Sequence, residues 1–283
     1  MSRAPASLLA LTVLVGCIET KPDELTALEE LEAIGAVMDA QRTEAFAGEV
    51  VDITTGFTIG AAYEQAAENL RDWVQSQLPC SDVTLAESDA GIAVVHMDLG
   101  TLDDACTYRG RTYAGELSVT LVSVDLHGEV VLQHDWMGVT NGAETLTGVA
   151  TVTWDAQDGP LERHLDYDAV WEDALGAVDG VGTLVHTPYS GDRFDEGFVA
   201  DGSRDWTARD GRDWSLQAEA VTARWIDPVP ESGQYVVYNP AGKQAVLSFD
   251  RQDADTIRVT LSGGAEDRML DVSATGVVVP VEE

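Results

Sequence analysis

The residues Gly115–Trp136, GELSVTLVSVDLHGEVVLQHDW, decide the fold class. Polar and apolar side chains alternate on both sides of His127–Gly128, which is the signature of strands with one buried face. A glycine-containing pair between two such runs supplies the positive φ that a two-residue hairpin needs. The same texture recurs at Ile92–Asp98, Thr145–Trp154, His164–Trp171, Trp214–Trp225, Gln234–Tyr238, Ala245–Asp250, Thr256–Leu261 and Leu270–Val279. Asn141–Gly142, Asp158–Gly159, Asp179–Gly180 and Asp210–Gly211 read as further tight turns. Gly202–Trp206 (GSRDW) is loosely echoed by Gly211–Trp214 (GRDW), as the two arms of one hairpin would be. Strands joined by hairpins run antiparallel, since parallel neighbours need long crossovers. The expected fold is therefore mainly β: a large antiparallel meander sheet, able to curl.

Before Cys80 the period changes. Leu25, Leu28, Leu31, Ile34 or Gly35 and Met38 recur at helical spacing from Asp23 onward, with Asp23, Glu24, Glu29 and Glu30 crowding the first turns. A second helix is expected from about Phe57 to Leu78, striped by Ile59, Tyr63, Ala66, Leu70, Trp73 or Val74 and Leu78, and ended by Pro79. This N-terminal pair of amphipathic helices should pack on the sheet. The division is then a signal peptide at 1–16, a tether at 17–22, a helical segment at 23–79 and an antiparallel β domain at 80–283, with 23–283 as one structural unit.

The first residues read as an address. Arg3 gives a short positive start, Ala4 to Val15 are apolar or small, and Leu14–Val15–Gly16–Cys17 closes the run. The apolar stretch falls short of the roughly 20 residues that span a bilayer. Leu-Val-Gly-Cys resembles the lipobox of bacterial lipoproteins, which implies cleavage before Cys17 and acylation of its thiol and new N-terminus. In that family an aspartate after the cysteine retains the protein in the inner membrane. Ile18 stands there instead, which implies the outer membrane.

The chain has 283 residues and a formal charge of -34, with Lys21 and Lys243 its only lysines. Removal of 1–16 takes away Arg3 and leaves -35. Such a body offers no basic surface for nucleic acid, and anionic headgroups repel it. Attachment would come from the acyl chains on Cys17. With that cysteine lipidated, Cys80 and Cys106 remain; export permits a disulfide between them, and they have no CxxC spacing for zinc or redox work.

Around this pair the residues Pro79–Cys80, Asp98–Leu99–Gly100–Thr101, Ala105–Cys106 and Gly110–Arg111–Thr112–Tyr113–Ala114–Gly115 form a pattern. It resembles one found in uncharacterised β-rich envelope lipoproteins, especially of Bacteroidota. Two departures stand out: Pro79 precedes its cysteine rather than following it, and Leu99 replaces an aromatic residue. The resemblance implies a β-rich exported lipoprotein and no particular chemistry.

Candidate chemistry is sparse. His164, Asp166 and Asp168 alternate on one strand face and are weak metal-ligand candidates; the solvated face of a half-buried strand gives the same pattern and is the simpler reading, so no metal is expected. The stretch Asp192–Asp213 reads as a loop holding seven carboxylates, with Arg193, Arg204, Arg209 and Arg212 to neutralise them; it matches no calcium-loop spacing. Trp136, Trp154, Trp171 and Trp225 would suit either a sugar platform or a β core, and the core is the simpler reading. No nucleophile elbow, phosphate loop, zinc-protease helix or dinucleotide fingerprint occurs. The expectation is a non-catalytic structural or interaction module without a cofactor, meeting other envelope proteins. The alternative is a carrier of a lipid-like or other apolar ligand between helices and sheet, with a hydrolase of envelope polymers behind it.

Overall fold

A computed structural model describes residues 24–55, 71–72, 74–76, 78–87, 93–108, 111–124, 129–155, 161–191, 193–224 and 226–281. The strands are β1 (Asp82–Glu87), β2 (Ala93–Asp98), β3 (Cys106–Tyr108), β4 (Arg111–Val124), β5 (Val130–Thr140), β6 (Glu144–Asp155), β7 (Glu162–Asp173) and β8 (Gly176–Ser190). They continue with β9 (Arg193–Thr207), β10 (Asp213–Arg224), β11 (Ser232–Tyr238), β12 (Gln244–Arg251), β13 (Thr256–Ser262), β14 (Arg268–Ser273) and β15 (Val278–Pro280). They form one 15-stranded antiparallel meander in which strands pair in sequence order, except that β2 pairs with β4 and β3 pairs with β4 beside that path. The path starts at β1 and ends at β15, which do not pair with each other.

The expected alternation holds where side chains are large. In β7, Arg163, Leu165, Tyr167, Ala169 and Trp171 are buried while Asp166, Asp168 and Val170 are exposed. Asn141–Gly142 and Asp210–Gly211 turn as expected, with positive φ at each glycine. His127–Gly128 and Asp158–Gly159 lie outside the described residues.

Asp179–Gly180 is a correction, for it sits inside β8, and the turn lies earlier, between Asp173 and Gly176. Gly180 is opposite Trp206, and a Cβ there would stand 3.2 Å from that of Trp206, so the glycine makes room for an indole. The stretch Asp192–Asp213 is likewise no loop but β9 and the start of β10, with Trp206 paired to Trp214 across the expected hairpin. Leu270–Val279 breaks at 274–277 into β14 and β15.

The helix α1 (Ala27–Thr55) runs longer than the sequence suggests. Thr26 and Glu29 close a capping box: the Glu29 backbone N–H donates to Thr26 Oγ1 at 3.3 Å, and the Thr26 N–H donates to Glu29 Oε2 at 2.7 Å. The expected stripe is reversed in part. Leu28, Leu31 and Met38 are exposed, whereas Ala33, Ala36 and Val37 are buried. Apolar residues lie all round this helix, so their period alone does not select a face.

Ion pairs do select it. Glu29 meets Lys243 at 2.9 Å, Glu30 meets Arg268 at 2.5 Å, Glu32 meets Arg212 at 2.9 Å and Asp39 meets Arg209 at 2.6 Å. Those cations stand at the tips of the β11–β12, β13–β14 and β9–β10 hairpins. The backbone N–H of Leu25 also donates to Gly263 O at 2.8 Å, beside the β13–β14 tip. Farther along, Glu49 takes Arg111 and the Tyr113 hydroxyl. The helix thus lies along a row of hairpin tips, gripped by scarce cations.

Two clusters of buried side chains form the core. Leu25, Ala33, Ala36 and Val37 pack with Trp206, Trp214, Leu216, Leu247 and Phe249. Phe46, Ala47, Val50, Val51 and Ile53 pack with Val74, Leu78, Tyr113, Trp136, Tyr167 and Trp171. Backbone at 71–72 and 74–76 is helical, which agrees with the end of the expected second helix; most of that helix lies outside the described residues.

Cys80 and Cys106 are bridged, with their Cα atoms 5.5 Å apart, pinning the chain after Leu78 to β3. In the chain-entropy account a loop of this size stabilises by roughly 3.5 kcal/mol. Replacing both cysteines with serine should therefore lower the urea midpoint by the equivalent amount, read on the mature protein.

Candidate functional site

The outward face of strands β6–β10 is the accessible one. Alternation turns Val149 and Thr151, Asp166 and Asp168, Asp179, Val181 and Thr183, Ser203, Asp205 and Thr207, and Asp213 and Ser215 to this side. A shallow depression of about 360 Å³ lies among Thr151, Asp166, Asp168, Val181, Thr183 and Asp205. A second, of about 540 Å³, adjoins it at Val181 and Asp205 and extends past Asp213 to Tyr238. Both are open to solvent. Carboxylates and hydroxyls over a valine floor can hold cationic or hydrogen-bonding groups, in the wet manner of polar protein contacts.

His164, Asp166 and Asp168 share this face, as expected, but they do not converge. His164 Nε2 lies 3.1 Å from Glu162 Oε2, Asp166 Oδ1 accepts from Thr183 Oγ1 at 2.7 Å, and Asp168 lines the depression. Among the described residues no group of three His, Cys, Asp or Glu side chains could hold a metal ion.

The inward face holds charged groups that the sequence reading missed. Arg163 and Arg204 are each 1% exposed. The Arg163 guanidinium lies 2.9 Å from His186 Nδ1, 4.8 Å from the Phe194 ring centroid and 5.7 Å from that of Trp154. Arginine only donates, so His186 Nδ1 accepts and its ring proton sits on Nε2. Arg204 lies 5.0 Å from Trp171 and 5.4 Å from Trp206. Cation–π contact of this kind compensates part of the lost hydration. Strict alternation from His164 would have found Arg163, since it places that arginine with Leu165 and Tyr167. Of the aromatic residues weighed as a platform, Trp136, Trp154 and Trp171 are buried core, and Trp225 lies outside the described residues.

The four arginines assigned to neutralise Asp192–Asp213 divide. Arg212 does pair with Asp210 at 2.6 Å, and it also reaches Glu32 of α1. Arg209 ties Asp39 of α1 to Asp173 of β7, both at 2.6 Å. Arg204 is inside, as above, and nothing is described of the Arg193 side chain.

Titration follows from these contacts. Complete burial, with the charge of Arg163 adding to it, pushes His134 down to about 3. The hydrogen bond from Lys243 holds Glu29 below the usual carboxylate range, and that from Arg212 does the same for Asp210. Burial works to raise Asp173, but the Leu175 N–H and Arg209 outweigh it, so its carboxyl too is held low. The unfolded chain binds a proton at His134 near pH 6.5, whereas the folded chain resists it down to about 3. His134 therefore opposes folding increasingly as pH falls through that window, by up to about 1.4 kcal/mol per pH unit, and has no effect above it. His134→Gln should flatten the loss of stability between pH 6.5 and 4.5, measured by urea melts of both proteins; equal slopes would contradict the assignment.

Compared with known proteins, the chain matches no family model, no curated protein and no solved structure.

Proposed function

We propose that this protein is an outer-membrane lipoprotein, held by acyl chains on Cys17, whose sheet serves as a non-catalytic interaction module in the bacterial envelope. The lipobox-like ending at Leu14–Cys17 supports the anchor. The observation that carries the module reading is how the inner face is occupied. Side chains of α1 pack directly on those of the sheet in both core clusters, so the side left for contact is the outer one. Its carboxylates stand open to water rather than in the dry, enclosed setting that tunes catalytic acids.

A carrier needs apolar space between helix and sheet, and the described side chains there are in contact with one another. Mature protein with Cys17→Ser should accordingly give no saturable rise in the fluorescence of an apolar naphthylamine probe. A photoreactive side chain at Thr183 on the outer face should give a discrete cross-link to another envelope protein in intact cells. Saturable, fatty-acid-displaceable probe uptake together with no cross-link would overturn the module in favour of the carrier.

A further inference from the structure

The helix α1 is apolar on its far side as well as its buried one. Leu28, Leu31 and Met38 are 66%, 49% and 56% exposed, and Gly35 between them is exposed as well. Spacings of three and four residues set them in one ridge along the helix. The acids that flank the ridge are Glu29, Glu30, Glu32 and Asp39, and each has a cation from a hairpin tip. Arg209 and Arg212 also serve Asp173 and Asp210, so four cations offset most, not all, of the charge of six carboxylates beside the ridge. Leu175, 77% exposed, sits at the β7–β8 tip, two residues past the Asp173 that shares Arg209 with Asp39. The apolar ridge therefore continues from the helix onto the hairpin-tip end of the sheet.

We propose that this ridge rests on the surface of the bilayer that holds the acyl chains of Cys17. The inference deepens the anchored reading above and rests on it. The hydrogen bond from Leu25 to Gly263 fixes the start of the helix at the hairpin-tip end. Only eight residues lead from Cys17 to Leu25, a reach of about 28 Å at full extension. Anchoring therefore brings this end, and no other, within reach of lipid, and makes contact effectively intramolecular. Apolar side chains whose flanking acids are ion-paired suit the interface, where such faces sink about 5–10 Å. A second copy is a poorer occupant, because it would bring two strongly acidic bodies together over a narrow strip. With the ridge on the lipid, the carboxylates of the outer sheet face remain in water.

The test uses the acylated protein in phosphatidylcholine vesicles, with a nitroxide on Leu31→Cys or Met38→Cys and, as a control, on Thr183→Cys. The bridge between Cys80 and Cys106 and the thioether at Cys17 leave the new thiol unique, and all three positions are exposed, so labelling spares the core. Accessibility to oxygen against a water-soluble nickel chelate should place the labels at 31 and 38 about 5–10 Å within the lipid interface and the label at 183 in water. Labels at 31 and 38 as open to the chelate as 183 would overturn the inference. Shielding accompanied by dipolar broadening between labels would also overturn it, in favour of a second copy. The intact mass of the same protein separates the two claims. With acyl mass present and exposed labels, only the ridge fails; with acyl mass absent, the anchor itself fails and the ridge with it.

Discussion

Trp136→Ala should lower the free energy of unfolding by about 3–5 kcal/mol, the range for removing a buried aromatic ring. Trp136 is 1% exposed, stands between Leu117 of β4 and Gly148 of β6, and belongs to the cluster that also receives Phe46, Val50 and Ile53 of α1. Its loss would leave a cavity that a strand pair cannot close without dragging the neighbouring strands. A domain with 5–15 kcal/mol in hand would keep little of it. The indole N–H donates to no acceptor among the described residues, so Trp136→Phe should retain most of the stability. Urea melts of the three proteins check this, and an alanine variant near the wild-type midpoint would place Trp136 outside the core.

The second large effect belongs to the glycine beside it. Gly148 has φ of 147°, and a Cβ there would stand 2.4 Å from Asp168 O and 2.5 Å from Ala169 Cα. Both atoms are β7 backbone, so relief requires β6 and β7 to part. Strain in φ and the overlap together predict a loss of about 3 kcal/mol or more for Gly148→Ala. Gly35 is the internal control: it lies in α1 with nothing within 4 Å of its would-be Cβ. There the same substitution should stabilise by up to about 1 kcal/mol, because it only removes backbone freedom from a helix. Calorimetry on the pair should show melting temperatures moving in opposite directions; a shared direction would refute the close strand approach.

These glycines also mark where the sheet was legible in the sequence and where it was not. Gly115–Trp136 shows its strands because valine and leucine occupy the alternate positions. β8 hides its own, because Gly180 and Gly182 occupy inward places under Trp206 and Tyr167. A glycine beneath an indole looks the same in a sequence as a glycine in a turn, and Asp179–Gly180 has the sequence of a turn. The start and existence of α1 were plain, but its rotation was not. Leucine spacing favoured the Leu28–Met38 side, whereas pairing with Lys243, Arg268, Arg212 and Arg209 decided for Ala33 and Val37. Those contacts span most of the chain, and no local pattern records them. The outward placing of His164, Asp166 and Asp168 followed from alternation alone, while whether they converge depends on χ angles and on partners in neighbouring strands.

The central claim is that Cys17 is the lipidated first residue of the mature protein, and that without this bond the acidic body does not stay at the membrane. Mass spectrometry of the N-terminal peptide from membranes, paired with fractionation of Cys17→Ser, tests it most directly. The account predicts a peptide beginning at Cys17 and carrying acyl chains, with the serine variant released in full from the membrane fraction. A free thiol at Cys17, or a Cys17→Ser protein that stays with the membrane, would contradict it.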